Sequence, residues 1–344
     1  VSILHLYAAA AGAPPFGAAP IIPTYTLRPL HVGLVLAMIF VMFPMMKRLR
    51  NRVNVLDWLL AAASLGVLGY ILAQGPEFGD RAIDPEPMDF WVGVVLILLL
   101  LEATRRSSGW IMPVVSIIFI AYALYGKYLP APWTHRGYSI ERLTGHLYMT
   151  LEGIFGTTVD VSSSLIILFT IFGAVLQYSG AGKFFIDFSF AAMGGKRNSA
   201  GRAVVLSSFL MGGPSGSGVA TTVTIGTVAY PLLEKEGYEK NAAGGLLAAG
   251  GLGAIISPPV LGAAAFLIAE FLKISYLDVL LMATVPTILY YLSLFLMVEL
   301  DARKFGMRDV VADTRQRVGE LTRRYWFHFG SLVSIVVFML LGFS

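Results

Sequence analysis

Cysteine is absent from the 344 residues, which excludes a disulfide framework, a thiolate metal site and a cysteine nucleophile. Charge is scarce too: Asp, Glu, Lys and Arg make up 13% of the chain, against roughly a quarter in a soluble domain that must solvate its surface. With 56% hydrophobic residues and a mean hydropathy of +0.73, most of the surface meets lipid. The formal charge of +4 then reports membrane orientation and not affinity for nucleic acid. The five histidines show no metal-ligand spacing. Residues 1–7 are too few to span, and no basic segment precedes them as in a signal peptide. They read as the cut end of an earlier helix, and the final apolar run also stops at Ser344 without a polar exit, as in a chain truncated at both ends.

Apolar runs long enough to cross a hydrocarbon core of about 30 Å predict spans at residues 30–46, 55–74, 88–104, 109–127, 161–181, 275–300 and 326–343. Alternating the loops between two sides collects Lys47, Arg48, Arg105, Arg106, Lys183, Arg202, Lys235, Arg303, Arg324 and most other basic residues on one side. Arg28, Arg81, Lys127, Arg136, Arg142 and Lys273 fall on the other, with the acidic loop starting at Glu77. By the positive-inside rule the first side is cytoplasmic, with lipid headgroups as partners of its basic stretches. This count requires residues 199–233 to begin and end on one side. Two apolar arms flank the string GGPSGSG there, which predicts a re-entrant helical hairpin with an irregular tip over 212–218. Residues 241–273 form a crossing interrupted near Ser257, where Pro258 and Pro259 remove two amide donors. The amphipathic stretch 140–155 is expected in the outer interface. The basic stretch 301–324 is either an inner surface helix or a linker.

Irregular backbone at membrane depth survives only where protein or a wet cavity satisfies it. Tip and break each offer helix ends whose free carbonyls can bind a small cation and whose free amides can bind an anion. Discontinuous helices meeting at mid-membrane point to secondary transport, and the two features should therefore face each other. The hydroxyls of Ser215, Ser217, Thr221, Thr222 and Ser257 add uncharged oxygen ligands. Gly244, Gly245, Gly250, Gly251 and Gly253 also suit close helix packing without any ligand. GGPSGSG is not a phosphate loop, since no Lys-Ser or Lys-Thr follows it, and GGLLAAGGLG lies inside an apolar helix, unlike a dinucleotide fingerprint. Glu102, Arg105 and Arg106 sit at a helix end and read as snorkelling side chains, while Glu152, Asp160 and Glu270 lie near outer ends. With no carboxylate at mid-span, oxygen ligands from backbone and hydroxyls favour sodium over proton coupling. A scaffold subunit, a standalone carrier or a channel are the competing classes. An enzyme would need a nucleophile, acid or metal cluster, and none is legible.

Four stretches resemble one family: EATRRSSGWIMP from Glu102, GHLYMTLEGIFGTTVDVSSS from Gly145, GGPSGSGVATTVTIGTVAYPLLEKEGY from Gly212 and GGLGAIISPPVLGAAAFLIAEFLKISY from Gly250. They are similar to the fused permease of tripartite ATP-independent periplasmic (TRAP) transporters, of the type that works with TAXI solute-binding proteins. The resemblance implies an all-α, polytopic inner-membrane protein, part of an elevator-type transporter. It implies a periplasmic TAXI-type binding protein and a small organic anion, such as a carboxylate, as partners. Sodium is the implied coupling ion, with no other cofactor and no catalytic residues. Residues 1–135 look like the small-subunit-like part with scaffold helices, and 136–300 like the first half of the large part. Residues 301–324 then make a linker and 325–344 start the next helix. By the same resemblance Ser215, Gly216, Ser217, Gly218, Thr222, Ser257 and Pro258 are implied at the substrate. Gly213, Ser217, Ala220, Thr221, Gly250 and Gly251 are implied at sodium. The break departs from the family pattern, since Ser257 precedes the prolines without the usual polar Gln.

Overall fold

The computed structural model describes residues 1–11, 20–45, 54–193, 199–306 and 318–341, with the backbone alone at 213–215. The basic loop 47–52, the inner residues Lys196 and Arg197, the middle of the 301–324 stretch and the ends of two predicted spans at 46 and 342–343 lie outside them. Among the described residues every regular element is helical. In chain order these are α1 (Ser2–Ala10), α2 (Thr24–Met42), α3 (Val55–Gln74), α4 (Pro87–Ser108), α5 (Ile111–Tyr125), α6 (Ile140–Met149), α7 (Thr157–Val161) and α8 (Ile167–Tyr178). There follow α9 (Ala181–Met193), α10 (Ser199–Ser215), α11 (Gly218–Glu236), α12 (Lys240–Ile256), α13 (Ala263–Leu272), α14 (Tyr276–Phe305), α15 (Val318–Tyr325) and α16 (Phe327–Leu340). Among the described residues six helices are long and apolar enough to cross a membrane: α2, α3, α4, α5 with its 3-10 extension, α7–α8 joined by a π turn at Ser162–Ile166, and α14.

Several helices run past the spans read from hydropathy. Hydropathy marks where lipid ends, whereas a helix continues until a cap satisfies its free backbone groups. In α4 the capping box of Glu86 and Asp89 opens the helix, Arg105 and Arg106 complement the dipole in the last turn, and Gly109 stops it at φ 86°. In α14 Ser275 and Asp278 form the box, and Gly306 ends the helix in the left-handed region at φ 61°.

The chain divides into two compact units, Val1–Ser164 and Leu165–Ser344. In the first, α2, α3 and α4 share a core that includes Leu36, Phe40, Val67, Leu96 and Leu99. The helix α6 packs one face on α4, with Tyr148 fully buried, and leaves Glu141, Arg142 and His146 exposed on the other. Gly93 permits this, since a Cβ there would stand 2.7 Å from both Thr144 and Tyr148.

Polar groups in this unit are paired far more than their scatter in sequence suggests. Arg106 does not snorkel: its guanidinium is buried, donating to Asp57 at 2.6 Å and to Glu102 at 2.7 Å, with Phe40 beneath it. A buried carboxylate across the helix interface offers more than distant headgroups, because the apolar surroundings strengthen the attraction. Arg28 pairs with Asp160 at 2.9 Å and donates to the Phe155 carbonyl. His5 and His31, unrelated in spacing, meet at 2.9 Å, and His31 Nε2 reaches Ser162 at 3.0 Å.

In the second unit α9, α10, α11, α12 and α14 build a core with Phe185, Val204, Ile225, Ala229, Leu233 and Leu246. The helices α10 and α11 form the expected antiparallel hairpin, with arms longer than the apolar runs alone predict. The helix continues through Gly212–Ser215, so only Gly216 and Ser217 remain outside it. One left-handed residue, Gly216 at φ 54°, and one extended residue, Ser217, suffice to reverse the chain.

Candidate functional site

The tip is built from two helix ends. The last turn of α10 closes with Gly216 N–H donating to Gly212 O at 3.1 Å, and Ser217 caps α11 by accepting from Ala220 N–H at 3.3 Å. The break begins where α12 stops at Ile256, passes through the Pro258–Pro259 peptide and resumes as α13. Tip and break touch. A Cβ on Gly216 would stand 3.5 Å from Leu261 O and from Val260 Cγ1, and one on Gly212 would stand 2.6 Å from Ala254 Cα.

Gly262 N–H donates to Ile255 O at 2.7 Å across the break, and other backbone groups in and beside it are satisfied from α14. Tyr276 Oη accepts from Leu261 N–H at 2.9 Å and donates to Pro259 O at 3.4 Å. Thr287 Oγ1 lies 2.5 Å from Ile256 O, Tyr290 Oη donates to Ala249 O at 2.7 Å, and Tyr291 Oη is 3.0 Å from Ser257 Oγ. These four residues were not singled out by the sequence reading. The available signal was a row of hydroxyls at helical spacing, 287, 290 and 291, on one face of an apolar run. Tyr276→Phe should lower the thermal midpoint of unfolding by an amount equivalent to about 1–3 kcal/mol, because the Leu261 amide loses its acceptor. An unchanged midpoint would show that water or lipid replaces the phenol.

Tip and break open together onto a cavity of about 380 Å³. Gly216, Ser217, Ala220 and Thr224 line one side, Val260, Leu261 and Phe266 another, and Thr170 and Gln177 of α8 a third. Among the predicted site residues, Gly216, Ser217 and Ala220 therefore reach this space. Gly218, Thr222 and Gly251 lie at the crossing of α11 and α12, where Thr222 Oγ1 donates to Gly218 O at 2.8 Å. A Cβ on Gly250 would overlap Ser208 of α10. Thr221 and Ser257 are fully buried, and Pro258 sits in the break itself. The side chains of Gly213 and Ser215 lie outside the described residues.

The base of the hairpin is clamped by charge. Arg202 on α10 forms a bidentate pair with Glu299 on α14. Glu236, beyond the apolar arm of α11, is fully buried and accepts from Ala200 N–H at 2.7 Å and Ser199 Oγ at 3.1 Å. Burial pushes the Glu236 carboxyl up, and these hydrogen bonds only partly offset it. With the folded pKa above the unfolded one, the folded state holds the proton more tightly. Its contribution is complete below the unfolded value, about pH 4, and is lost as pH rises through the folded value. Glu236→Gln should therefore flatten the decline of the thermal midpoint above about pH 4; an identical pH profile would remove Glu236 as its source.

Residues 95–344 match the family described as "Tripartite ATP-independent periplasmic transporter, DctM component". Over 109 residues the chain is 32% identical to the 2,3-diketo-L-gulonate TRAP transporter large permease protein of Escherichia coli K12, covering 32% of this chain and 26% of that one. Over 91 residues it is 33% identical to the C4-dicarboxylate TRAP transporter large permease protein of Rhodobacter capsulatus, covering 26% of this chain and 21% of the relative. A putative TRAP large permease of Haemophilus influenzae is 30% identical over 109 residues, again 32% of this chain and 26% of the relative. The chain thus spans 21–26% of the length of these curated relatives.

Proposed function

Given that the chain belongs to the DctM family of tripartite ATP-independent periplasmic transporters, we propose that it takes up an organic anion, a carboxylate, coupled to sodium. It is a large permease component, a multi-pass inner-membrane protein and not an enzyme. A periplasmic solute-binding protein of the TAXI type delivers the substrate, and the region before the family match is a fused small-subunit-like part. The hairpin and the broken helix move together, as in an elevator, carrying their shared cavity across the membrane.

The observation that carries this reading is a cavity where helix ends meet and no described lining residue is ionisable. The amino end of α11 at Ser217 presents amides suited to a carboxylate. A carboxylate entering such a space lacks a fixed cation, and burying its charge alone is costly. A co-bound sodium, held by Ser217 and by backbone carbonyls of the tip and break, supplies the missing charge. Half-loaded crossing is then disfavoured because a charge stays unpaired. The two relatives whose names give a substrate take 2,3-diketo-L-gulonate and a C4-dicarboxylate, both carboxylates, which supports the substrate class.

The test is uptake of labelled carboxylates by the intact permease in proteoliposomes with its binding protein, under sodium or potassium gradients. Uptake should require both sodium and the binding protein. Ser217→Ala should raise the sodium concentration for half-maximal uptake about tenfold, the equivalent of about 1.4 kcal/mol for one lost ligand. Lys273→Ala, on an exposed side chain, should leave it unchanged. Uptake that persists without sodium or without the binding protein would instead establish a standalone carrier.

A further inference from the structure

The cavity between tip and break has a chemistry of its own beyond an affinity for anions. We propose that it selects a monocarboxylate with a compact apolar body, about the size of phenylacetate, over dicarboxylates; this rests on the transport reading above.

The walls carry the argument. Phe169, Phe185, Met211, Val260, Leu261 and Phe266 surround the space, and apolar surface dominates it. The aromatic side is braced: Phe169 and Phe266 have ring centroids 4.9 Å apart, and Phe266 stacks on Tyr276 at 4.6 Å with the rings 13° from parallel. Tyr276 is itself held by the break through Leu261 N–H. An aromatic wall fixed from behind offers a flat apolar face to a ligand without ordering a free side chain on binding.

The polar groups are few and neutral. Ser217 lies at the amino end of α11, where a single carboxylate finds amides and a hydroxyl. Thr170, Gln177 and Thr224 offer neutral groups elsewhere on the wall, enough for one keto or hydroxyl substituent. A second carboxylate would lie against Phe and Leu with no guanidinium, ammonium or imidazole among the described lining residues. Desolvating that second charge without a partner outweighs any hydrogen bond from a neutral amide or hydroxyl. At about 380 Å³ the space is also at the small end of the roughly 300–1,000 Å³ typical of small-molecule sites.

The experiment is equilibrium binding of radiolabelled phenylacetate and succinate to the intact permease in nanodiscs, in sodium and in potassium, without the binding protein so that its own selectivity does not intervene. Phenylacetate should bind at least tenfold more tightly than succinate in sodium. Phe169→Ala should weaken phenylacetate severalfold and leave succinate unchanged, whereas Phe169→Leu should retain most of the affinity. Succinate binding as tightly as phenylacetate, or no detectable phenylacetate binding, would overturn the selectivity. Sodium-dependent uptake of succinate in the proteoliposome assay would also overturn it and leave sodium coupling standing. Phenylacetate binding of equal strength in potassium would leave the selectivity standing and defeat the coupling.

Discussion

Arg106→Ala should destabilise the first unit by about 3–5 kcal/mol, the range for removing one partner of a buried ion pair. The side chains of Arg106 and Asp57 are each only 1% exposed, so the variant leaves the Asp57 carboxylate without its cation and without access to water. Asp57 also accepts from Asn54 N–H at 3.0 Å in the capping box that starts α3. The damage therefore reaches the beginning of a membrane-spanning helix and not only one contact. Glu102 loses a second donor and keeps Arg105, at 2.7 Å. The check is a thermal or SDS unfolding midpoint in a fixed detergent. The paired variant Arg106→Met with Asp57→Asn should recover most of the loss, because neither buried partner then carries an unmatched charge. If Arg106→Ala alone costs under about 1 kcal/mol, the pair behaves like an exposed one and the side chains reach water or headgroups after all.

Gly251→Ala should cost about 3 kcal/mol or more, while Gly244→Ala on the same helix should stabilise by up to about 1 kcal/mol. Intrinsic helix propensity favours alanine at both positions, so the sign is decided by space. At Gly244 an added Cβ meets nothing within 4 Å. At Gly251 it would overlap Thr222 Oγ1 and the Gly218 carbonyl of α11. Backbone cannot move aside as a flexible side chain can, so α11 and α12 must separate, and the hairpin tip shifts with them. Thr222→Ala should not rescue Gly251→Ala, because the Gly218 carbonyl remains. Comparing the unfolding midpoints of the three variants decides the matter, and equal effects at Gly244 and Gly251 would mean that the crossing is not close-packed.

These two sites illustrate what was legible along the chain. Gly244 and Gly251 are equivalent in sequence terms, both glycines in an apolar run, and nothing local separates a packed one from an open one. Arg106 at a helix end has the same appearance whether it snorkels or is buried; the deciding partner, Asp57, lies on another helix. The hydroxyls of Tyr276, Thr287, Tyr290 and Tyr291 were visible at helical spacing, but their role required knowing that α14 runs beside the break. The irregular tip is shorter than the string 212–218 suggests, for a similar reason. Glycine and proline density signals broken helix, yet Gly212–Ser215 remain helical in the last turn of α10, close beside α12.

By itself the sequence determined the solvent and the class: scarce charge, long apolar runs and missing cysteine leave a polytopic helical membrane protein, since lipid forces backbone groups to pair within helices. It also determined where helices must fail, because Gly216 permits a reversal and two consecutive prolines withhold amide donors. Which side chains complete those failures was decided only in three dimensions. Burial, ion pairing and the shape of a cavity depend on groups tens to more than a hundred residues apart, as with Arg28 and Asp160 or Ser257 and Tyr291, and local periodicity carries no record of such partners.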